Sequence, residues 1–260
     1  MASAKERAFQ RKVKGLIKQA NSLEDDAVAR VLRLLNDARK EVAATIASTD
    51  WKAYFLPQMK GAIERAMQQF AQKYGVDLRD IQRSFWDYGV DSVDLPLRAA
   101  GVIQALPQLD TTMLGIMQDF SADLVGGLGK DAIKRINNAL SLGLIGQKSP
   151  YDVMLEIGTN LKKDKSIFKS IAARAETITR TEAGRVLEAA GQARKESAAA
   201  VVPGLQKQWL YGHSPRMPRL DHMAADGQIR DVDQPFNVGG EELMYPKDPA
   251  GSAANTINCG

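Results

Sequence analysis

The sequence has 260 residues, 44% of them hydrophobic and 25% charged, so it is long enough for one or two domains with a sizeable core. Aromatic residues make up only 6% while alanine, leucine, lysine and arginine are plentiful, which favours helices over sheets. The one cysteine excludes an internal disulfide. No apolar run reaches the roughly 18 residues that a membrane-spanning helix needs, so we expect a mainly α protein without membrane contact.

The formal charge of +4 is concentrated at one end of the chain, because residues 1–20 carry six cations and one anion. The spacing of apolar residues predicts an amphipathic helix over residues 1–20. Its cationic face fits either a solvated edge of the protein or a contact with double-stranded DNA or an acidic protein surface. The residues of this face are Arg7, Arg11, Lys14 and Lys18.

Further helices are predicted up to residue 100. Asn21-Ser22, followed by three acidic residues, predicts a helix start, and the helix continues to about Ser48. The next helical segment begins near Trp51 and is expected to stop at Gly75. Aromatic and branched residues between 85 and 95 predict buried core, with a partner surface as the alternative.

Glycines interrupt the apolar, helical pattern between residues 102 and 146. The stretch Gly126-Gly127-Leu128-Gly129-Lys130 has some likeness to a phosphate-binding loop, but it lacks the required glycine spacing and has Asp131 in place of the hydroxyl residue. We therefore predict a loop between two helices here. Residues 1–148 are expected to form an elongated helical region, with the basic helix followed by hairpins or a bundle.

Residues 149–260 are predicted to form a small, loop-rich α+β module. Ser149-Pro150 predicts a helix start with proline in the first turn, and this helix runs to about Leu161. A charged loop at 162–165 and a long helix over 166–200 follow. In the tail, Asp226-Gly227 and Gly239-Gly240 predict one or two small β-hairpins.

A distinctive order of residues runs through this module: Arg180, Thr181, Glu182, Trp209, Arg219, His222, Asp226, Gly227, Pro235, Phe236, Tyr245, Pro246, Asp248, Pro249, Asn258 and Cys259. This order resembles the head-morphogenesis, or minor capsid, proteins of tailed bacteriophages, typified by the F protein of phage Mu and the minor head protein of phage SPP1. The resemblance covers about Ser149 to Cys259. Members of that family commonly continue with an arginine and a second cysteine where this sequence has Gly260, so a role that needs the second thiol is not carried over.

The resemblance implies a function in virus assembly. Proteins of this family accompany the portal, at the capsid vertex through which DNA enters and leaves. It therefore implies a structural, non-enzymatic protein that binds the portal and the capsid interior. It further implies roles in head assembly, DNA packaging or DNA delivery, and a location in the virion and, during assembly, in the host cytoplasm.

Arg180 and Glu182 are candidates for polar contacts that fix the loop-rich module in one geometry. A buried glutamate with an arginine partner, or an arginine forked onto turn carbonyls, would do this. We expect this structural role rather than a catalytic one, because no second positioned acid, base or nucleophile accompanies the two residues in the sequence.

The unusual residues of the tail also suggest a metal site. His222 and Cys259, with His213 or Asp221 as further ligands, are residue types that suit zinc, and a loop-rich module would gain folding free energy from the ion. The local chelate pairs of most structural zinc sites are missing, however. The preferred interpretation is that His222 hydrogen-bonds loop backbone and Cys259 is a small buried hydrophobe, without a cofactor.

An enzyme is the alternative function. A metal-dependent nuclease or toxin-associated hydrolase could use the C-terminal residues His222, Asp221, Asn258 and Cys259 around one ion. Nothing in the sequence fixes a general base beside a metal cluster, so we expect no enzymatic activity.

Overall fold

The structure, a computed structural model, describes residues 3–102, 105–158, 165–211 and 219–257. Most of these residues are helical, which confirms the mainly α class. A single 3-10 turn at Ala53–Phe55 precedes the second helix. The long helices and the short one between them are α1 (Ala4–Ser48), α2 (Leu56–Ala99), α3 (Thr112–Leu144), α4 (Pro150–Ile157) and α5 (Ile167–Ala199).

The tail after α5 is a small α+β region, as predicted. It contains β1 (Gln206–Gln208), α6 (Leu220–Ala225), β2 (Ile229–Asp231), β3 (Phe236–Val238), β4 (Glu241–Leu243) and α7 (Ala253–Thr256). We call residues 206–257 the tail module, meaning the described residues within that range.

The strands of the tail module form two antiparallel pairs, β1 with β2 and β3 with β4. Gly239 and Gly240 have φ angles of 61° and 85°, so the β3–β4 hairpin has the tight turn that this dipeptide predicts. Gly227 also has a positive φ of 79°. The hairpin prediction at Asp226-Gly227 is nevertheless wrong, because this turn joins α6 to β2 rather than two strands.

The predicted helix boundary at Asn21-Ser22 is wrong, since α1 continues through it. Asparagine and serine inside a helix cost less than about 1 kcal/mol each relative to alanine. The buried side of the helix continues past them from Leu16 to Ala27 and Val28. Burial of that side therefore outweighs the local preference for a helix start.

The predicted stops at glycine are also wrong, because Gly75 lies inside α2 and the three glycines at 126, 127 and 129 lie inside α3. Each glycine costs about 1 kcal/mol in a helix interior, which tertiary packing can offset. A Cβ at Gly129 would lie 2.9 Å from the Cβ of Ala71, so this glycine permits a close approach of α3 to α2. In a helix interior these amides bond within the helix, so the segment is not a phosphate-binding loop.

The start of α4 follows its sequence signal. The hydroxyl of Ser149 accepts a hydrogen bond from the amide of Asp152, and Pro150 occupies the first turn. The helix ends at Ile157, before the predicted Leu161, because Gly158 adopts a left-handed conformation with φ of 90°. The predicted charged loop falls mainly on residues 162–164, which lie outside the described residues. The helix predicted over 166–200 is α5.

The chain forms two compact units, the first of which comprises the described residues of Met1–Asp25, Asp80–Met117 and Arg180–Gly260. One apolar cluster of this unit joins α1, α2 and α5. It consists of Val93, Leu97 and Ala198, with Phe9, Val102, Leu106 and Leu205 packed against it. Phe85 and Trp86 of α2 are also buried, which confirms the core prediction for residues 85–95.

An ion pair is buried in the same unit. The guanidinium of Arg194 donates two hydrogen bonds to the carboxylate of Asp94, both of 2.6 Å, and a third of 2.6 Å to the carbonyl of Pro107. These charge-assisted hydrogen bonds compensate the burial of both charges. The pair therefore joins α2, α5 and the segment that follows α2.

Helices α2 and α5 approach each other closely at Gly89. A Cβ at this position would lie 2.8 Å from the Cβ of Ala190 and closer still to the carbonyl oxygen of Leu187. Glycine is therefore needed here for packing rather than for backbone conformation.

The second unit comprises Asp26–Arg79 and the described residues of Gln118–Thr179. Tyr74 is buried in it, and its hydroxyl donates a hydrogen bond of 2.9 Å to the carbonyl of Ala175. Its buried apolar side chains recur every three or four residues, as amphipathic helices require. Among them are Val31, Leu35, Val42, Ile63, Met67, Phe70, Leu128, Ile136 and Leu140.

These units do not follow the division of the sequence into 1–148 and 149–260. That division rests on a family resemblance rather than on packing, and it stays a prediction. Among the described residues, no helix combines the length and the apolar character that crossing a bilayer requires.

Candidate functional site

Arg180, the first motif residue of α5, contacts the acidic turn of α1, Glu24 and Asp25, within the first unit. Arg180 donates a hydrogen bond of 2.9 Å to Asp25, and its guanidinium lies 3.6 Å from the carboxylate of Glu24. Thr181 and Glu182 are buried, and Glu182 accepts a hydrogen bond of 2.9 Å from Arg185, one turn further along. The buried glutamate thus has an arginine partner, and Arg180 joins α5 to α1.

Trp209 is the centre of a small apolar core in the tail module. Its ring packs edge-on against the rings of Phe236 and His222, with centroid distances of 5.3 Å and 5.7 Å. Only 2% of Trp209 is exposed. The cluster around it consists of Ala225, Phe236, Val238 and Leu243. Residues that are far apart in the sequence therefore meet to give the module a core of its own.

Arg219 and Asp226 hold the loops of the module. The guanidinium of Arg219 donates to the carbonyls of Ala254 and Ile257 at the end of α7, which is the forked arrangement expected of Arg180. One carboxylate oxygen of Asp226 accepts a hydrogen bond of 2.9 Å from the amide of Tyr211. Both side chains bind main-chain groups, so they fix backbone geometry.

A side chain joins the two strand pairs of the module. The amide nitrogen of the Gln228 side chain donates to the carbonyl of Asn237 at 2.7 Å, and its oxygen accepts from the amide of Asn237 at 3.2 Å. Gln228 thus bonds to one residue of β3 as a neighbouring strand would. No motif in the sequence indicates this contact.

Lys207 connects the module to α5. Its ammonium donates to the carbonyl of Met244 at 2.9 Å and to the side chain of Gln192 at 3.3 Å, and it lies 5.1 Å from the centroid of the Phe236 ring. The side chain of Gln192 in turn donates to the carbonyl of Val232 at 2.8 Å. Burial and the nearby charge of Lys195 lower the pKa of Lys207 to about 8, although several carboxylates oppose this shift.

Lys247 makes a second connection to the helices. Its ammonium donates to the carbonyl of Arg180 at 3.2 Å and lies 4.0 Å from the carboxylate of Glu24. The side chain crosses Gly184, where a Cβ would lie 2.8 Å from the Cδ of Lys247. The backbone of Lys247 has a φ of 65°, which is unusual for a residue other than glycine and costs about 1 kcal/mol. The contacts of its side chain offset this cost.

His222 lies beneath the surface of the module, with 3% of the residue exposed. Burial and the positive charge of Arg219 lower its pKa, while hydrogen bonding with Asn255 and the charge of Asp221 act in the opposite direction. At neutral pH the imidazole is therefore neutral, which is also the form that binds metals.

The predicted zinc site cannot be assembled from the described residues alone. His213, Asn258 and Cys259 lie outside them. Asp221 is exposed and lies against Gly239. Within residues 3–102, 105–158, 165–211 and 219–257, no three His, Cys, Asp or Glu side chains come together as a metal site would require. A zinc site that includes His213 or Cys259 stays a prediction.

The cationic face of α1 is exposed along its length. Its four residues lie within about 60° on a helical wheel, and Phe9 and Leu16 lie on the opposite side of the helix. Leu16 is buried and Phe9 packs against the cluster around Leu97, so the cationic face is turned away from the packed side. We call this face the basic stripe: Arg7, Arg11, Lys14 and Lys18, all exposed.

Comparison of the chain with protein-family models, curated proteins and solved structures finds no match.

The lowered pKa of Lys207 predicts how stability depends on pH. The ordinary pKa of lysine is 10.5. Between pH 8 and 10 the unfolded chain therefore holds this proton while the folded chain loses it, and the free energy of unfolding contributed by Lys207 rises with pH. Lys207→Met removes the contribution. We expect urea denaturation to show that the stability advantage of the wild type over Lys207→Met increases from pH 8 to pH 10.

The measurement stops at pH 10 to exclude the ionisation of Tyr245, because burial raises the pKa of this residue to about 12. That shift lowers stability above pH 10, where tyrosine ionises only in the unfolded chain. The structure indicates that the ammonium of Lys207 is desolvated. If the free energy of unfolding changes with pH by the same amount in the wild type and in Lys207→Met, this desolvation is wrong.

Proposed function

We propose that this protein is a minor head protein of a tailed bacteriophage that acts at the portal vertex. It contributes to capsid assembly, DNA packaging or DNA delivery through contacts with other virion components rather than through catalysis. It is located in the virion and, before that, in the host cytoplasm during assembly.

The observation that supports this proposal most is the place of the motif residues in the tail module. The resemblance to the phage family rests on their order in the sequence. In the structure, Trp209 centres the module core, and Arg219 and Asp226 bind its backbone. A motif whose members hold a fold together is what a structural protein needs, because its partner recognises the shape of the module.

The module offers the portal or the inner capsid face a small, rigid surface. It is attached to α5 through Lys207 and to α1 and α5 through Lys247. These contacts fix the position of the module in the first unit. The basic stripe adds a second surface, for an anionic partner such as packaged DNA or an acidic protein surface.

The proposal is tested by co-expression with the portal protein encoded in the same genome. We expect the untagged chain to co-purify with tagged portal rings, and mass measurement of the complex to give a fixed number of copies per ring. Trp209→Ala removes the centre of the module core, at a cost of about 3–5 kcal/mol. This variant should lose co-purification, while Tyr151→Ala, which changes an exposed aromatic residue of α4, should keep it.

Two outcomes would contradict the proposal. One is that folded wild-type protein fails to bind portal rings at any salt concentration. The other is that the isolated protein nicks plasmid DNA in the presence of magnesium, manganese or zinc, since this would favour the metal-dependent nuclease. Elemental analysis of the same sample determines whether zinc is bound.

A further inference from the structure

The first unit carries an acidic stripe on α2 as well as the basic stripe on α1. Asp80, Asp87 and Asp91 are exposed on one face of α2, with the exposed Ser84 between them. Arg83 borders this face, and Arg98, which lies 3.8 Å from Asp94, marks its end. We call Asp80, Ser84, Asp87 and Asp91 the acidic stripe.

The two stripes have the same spacing. Along each helix the positions advance by four, three and four residues, from 7 to 18 on α1 and from 80 to 91 on α2. This spacing keeps side chains on one helical face and gives each stripe a length of about 16 Å. When the two helices lie side by side, the four cations can therefore face three carboxylates and the hydroxyl of Ser84 at matched positions.

The stripes lie on neighbouring helices of one chain. The hydroxyl of Tyr88, between Asp87 and Asp91, donates a hydrogen bond of 2.6 Å to the carbonyl of Leu16, between Lys14 and Lys18. The basic stripe lies on the side of α1 opposite to Leu16, about half a turn away. The two stripes of one chain are therefore separate surfaces, and the cations are directed away from the carboxylates beside them.

We propose that the basic stripe binds the acidic stripe of a second copy of this chain. Both stripes then find opposite charge at matched spacing. Duplex DNA would provide opposite charge for the basic stripe alone, whereas a second copy provides it for both stripes. Charge complementarity therefore favours a second copy over DNA as the partner.

The contact is head-to-tail, because the two surfaces that meet are different. A head-to-tail contact repeats from copy to copy and gives either a closed ring or an open chain. Exposed ion pairs contribute little individually and are screened by salt, so the isolated protein associates weakly and at low ionic strength. Attachment of several copies to one portal ring would raise their effective concentration and close the contacts.

The arrangement around a ring rests on the proposed function, whereas the pairing of the stripes is tested on the isolated chain. Either can therefore fail without the other. The test uses two charge-reversal variants. One carries Arg11→Glu, Lys14→Glu and Lys18→Glu, so that both stripes are acidic. The other carries Asp87→Lys and Asp91→Lys, so that both are basic.

Sedimentation velocity at low salt provides the measurement. We expect the wild type to form larger species as its concentration rises and to lose them at high salt. Each variant alone should self-associate at least about tenfold more weakly, while an equimolar mixture of the two should associate at least as well as the wild type. A control with Lys12→Glu, Arg33→Glu and Lys40→Glu makes the same change in charge on α1 outside the stripe, and it should associate like the wild type.

The mixture is the decisive sample. If both variants have wild-type circular dichroism and their mixture stays monomeric, the pairing of the stripes is wrong. The pairing is also wrong if the basic stripe is required for binding duplex DNA but not for self-association, since the partner would then be nucleic acid. Binding to portal rings is measured separately, and its loss would contradict the proposed function alone.

Discussion

Gly89→Ala is expected to destabilise the protein by about 3 kcal/mol, because the new Cβ would overlap the backbone of α5. The methyl group would lie 2.8 Å from the Cβ of Ala190 and closer to the carbonyl of Leu187. A carbonyl in a helix backbone cannot move aside as the end of a flexible side chain can. Helices α2 and α5 would have to separate, which would weaken their contacts near Gly89.

Gly75→Ala in the same helix is the matched control. Apart from the backbone of α2 itself, no atom of the described residues lies within 4 Å of the position of its Cβ. Alanine there should stabilise the protein by about 0.5–1 kcal/mol, because it reduces the entropy of the unfolded chain. Urea denaturation of both variants measures the two effects. Equal changes of the same sign would show that α2 and α5 are not in close contact at Gly89.

Arg194→Met is expected to cost about 3–5 kcal/mol of stability, because it leaves the buried carboxylate of Asp94 without its main partner. Arg194 supplies both short hydrogen bonds to this carboxylate and a third to Pro107. The exposed Arg98, 3.8 Å from Asp94, is too distant and too hydrated to replace them. The measurement is again the free energy of unfolding in urea.

Two further variants separate the ion pair from the packing around it. Arg98→Gln should change stability by less than about 1 kcal/mol, as an exposed pair does. The double variant Arg194→Met with Asp94→Leu removes both charges, and it should be more stable than Arg194→Met alone. A double variant less stable than the single one would mean that the unpaired carboxylate is not the source of the cost.

Local sequence signals predicted the elements whose geometry is set by neighbouring residues. Ser149-Pro150 fixes the start of α4 because a hydroxyl and a proline satisfy the first turn directly. Gly239-Gly240 fixes the β3–β4 turn because glycine adopts positive φ without cost. The basic stripe follows from helical spacing alone, so its exposure was predictable while its partner was not.

The errors arose where packing outweighs local preference. Gly129 weakens a helix in isolation, but in the structure it permits contact with Ala71, which lies far away in the sequence. The same reasoning applies to Asn21-Ser22, where burial of one side of α1 continues past a favourable helix start. A single sequence does not contain the distances on which these outcomes depend.

The polar contacts of the first unit do not follow from the sequence, for a related reason. The sequence predicts Asp25 as an acid of a helix start, although its partner Arg180 lies 155 residues further along. Two features of the sequence indicate buried charges. Asp94 interrupts the apolar face of α2 between Val93 and Leu97. Lys207 is the buried residue of β1, and Gln206 and Gln208 on either side of it are exposed. A charge at an apolar position indicates a buried partner without identifying it.

The contacts of Arg180 and Lys247 can form only late in synthesis on the ribosome, because the residues they join lie far apart in the sequence. Asp25 is synthesised 155 residues before Arg180, and Lys247 follows another 67 residues later. At about 5–20 residues per second, Asp25 is synthesised roughly 8 to 30 s before Arg180. The packing of α1 against α2, which includes the hydrogen bond from Tyr88 to Leu16, can form earlier. The contacts with α5 and the tail module come last, so the first unit is completed only when translation is nearly finished.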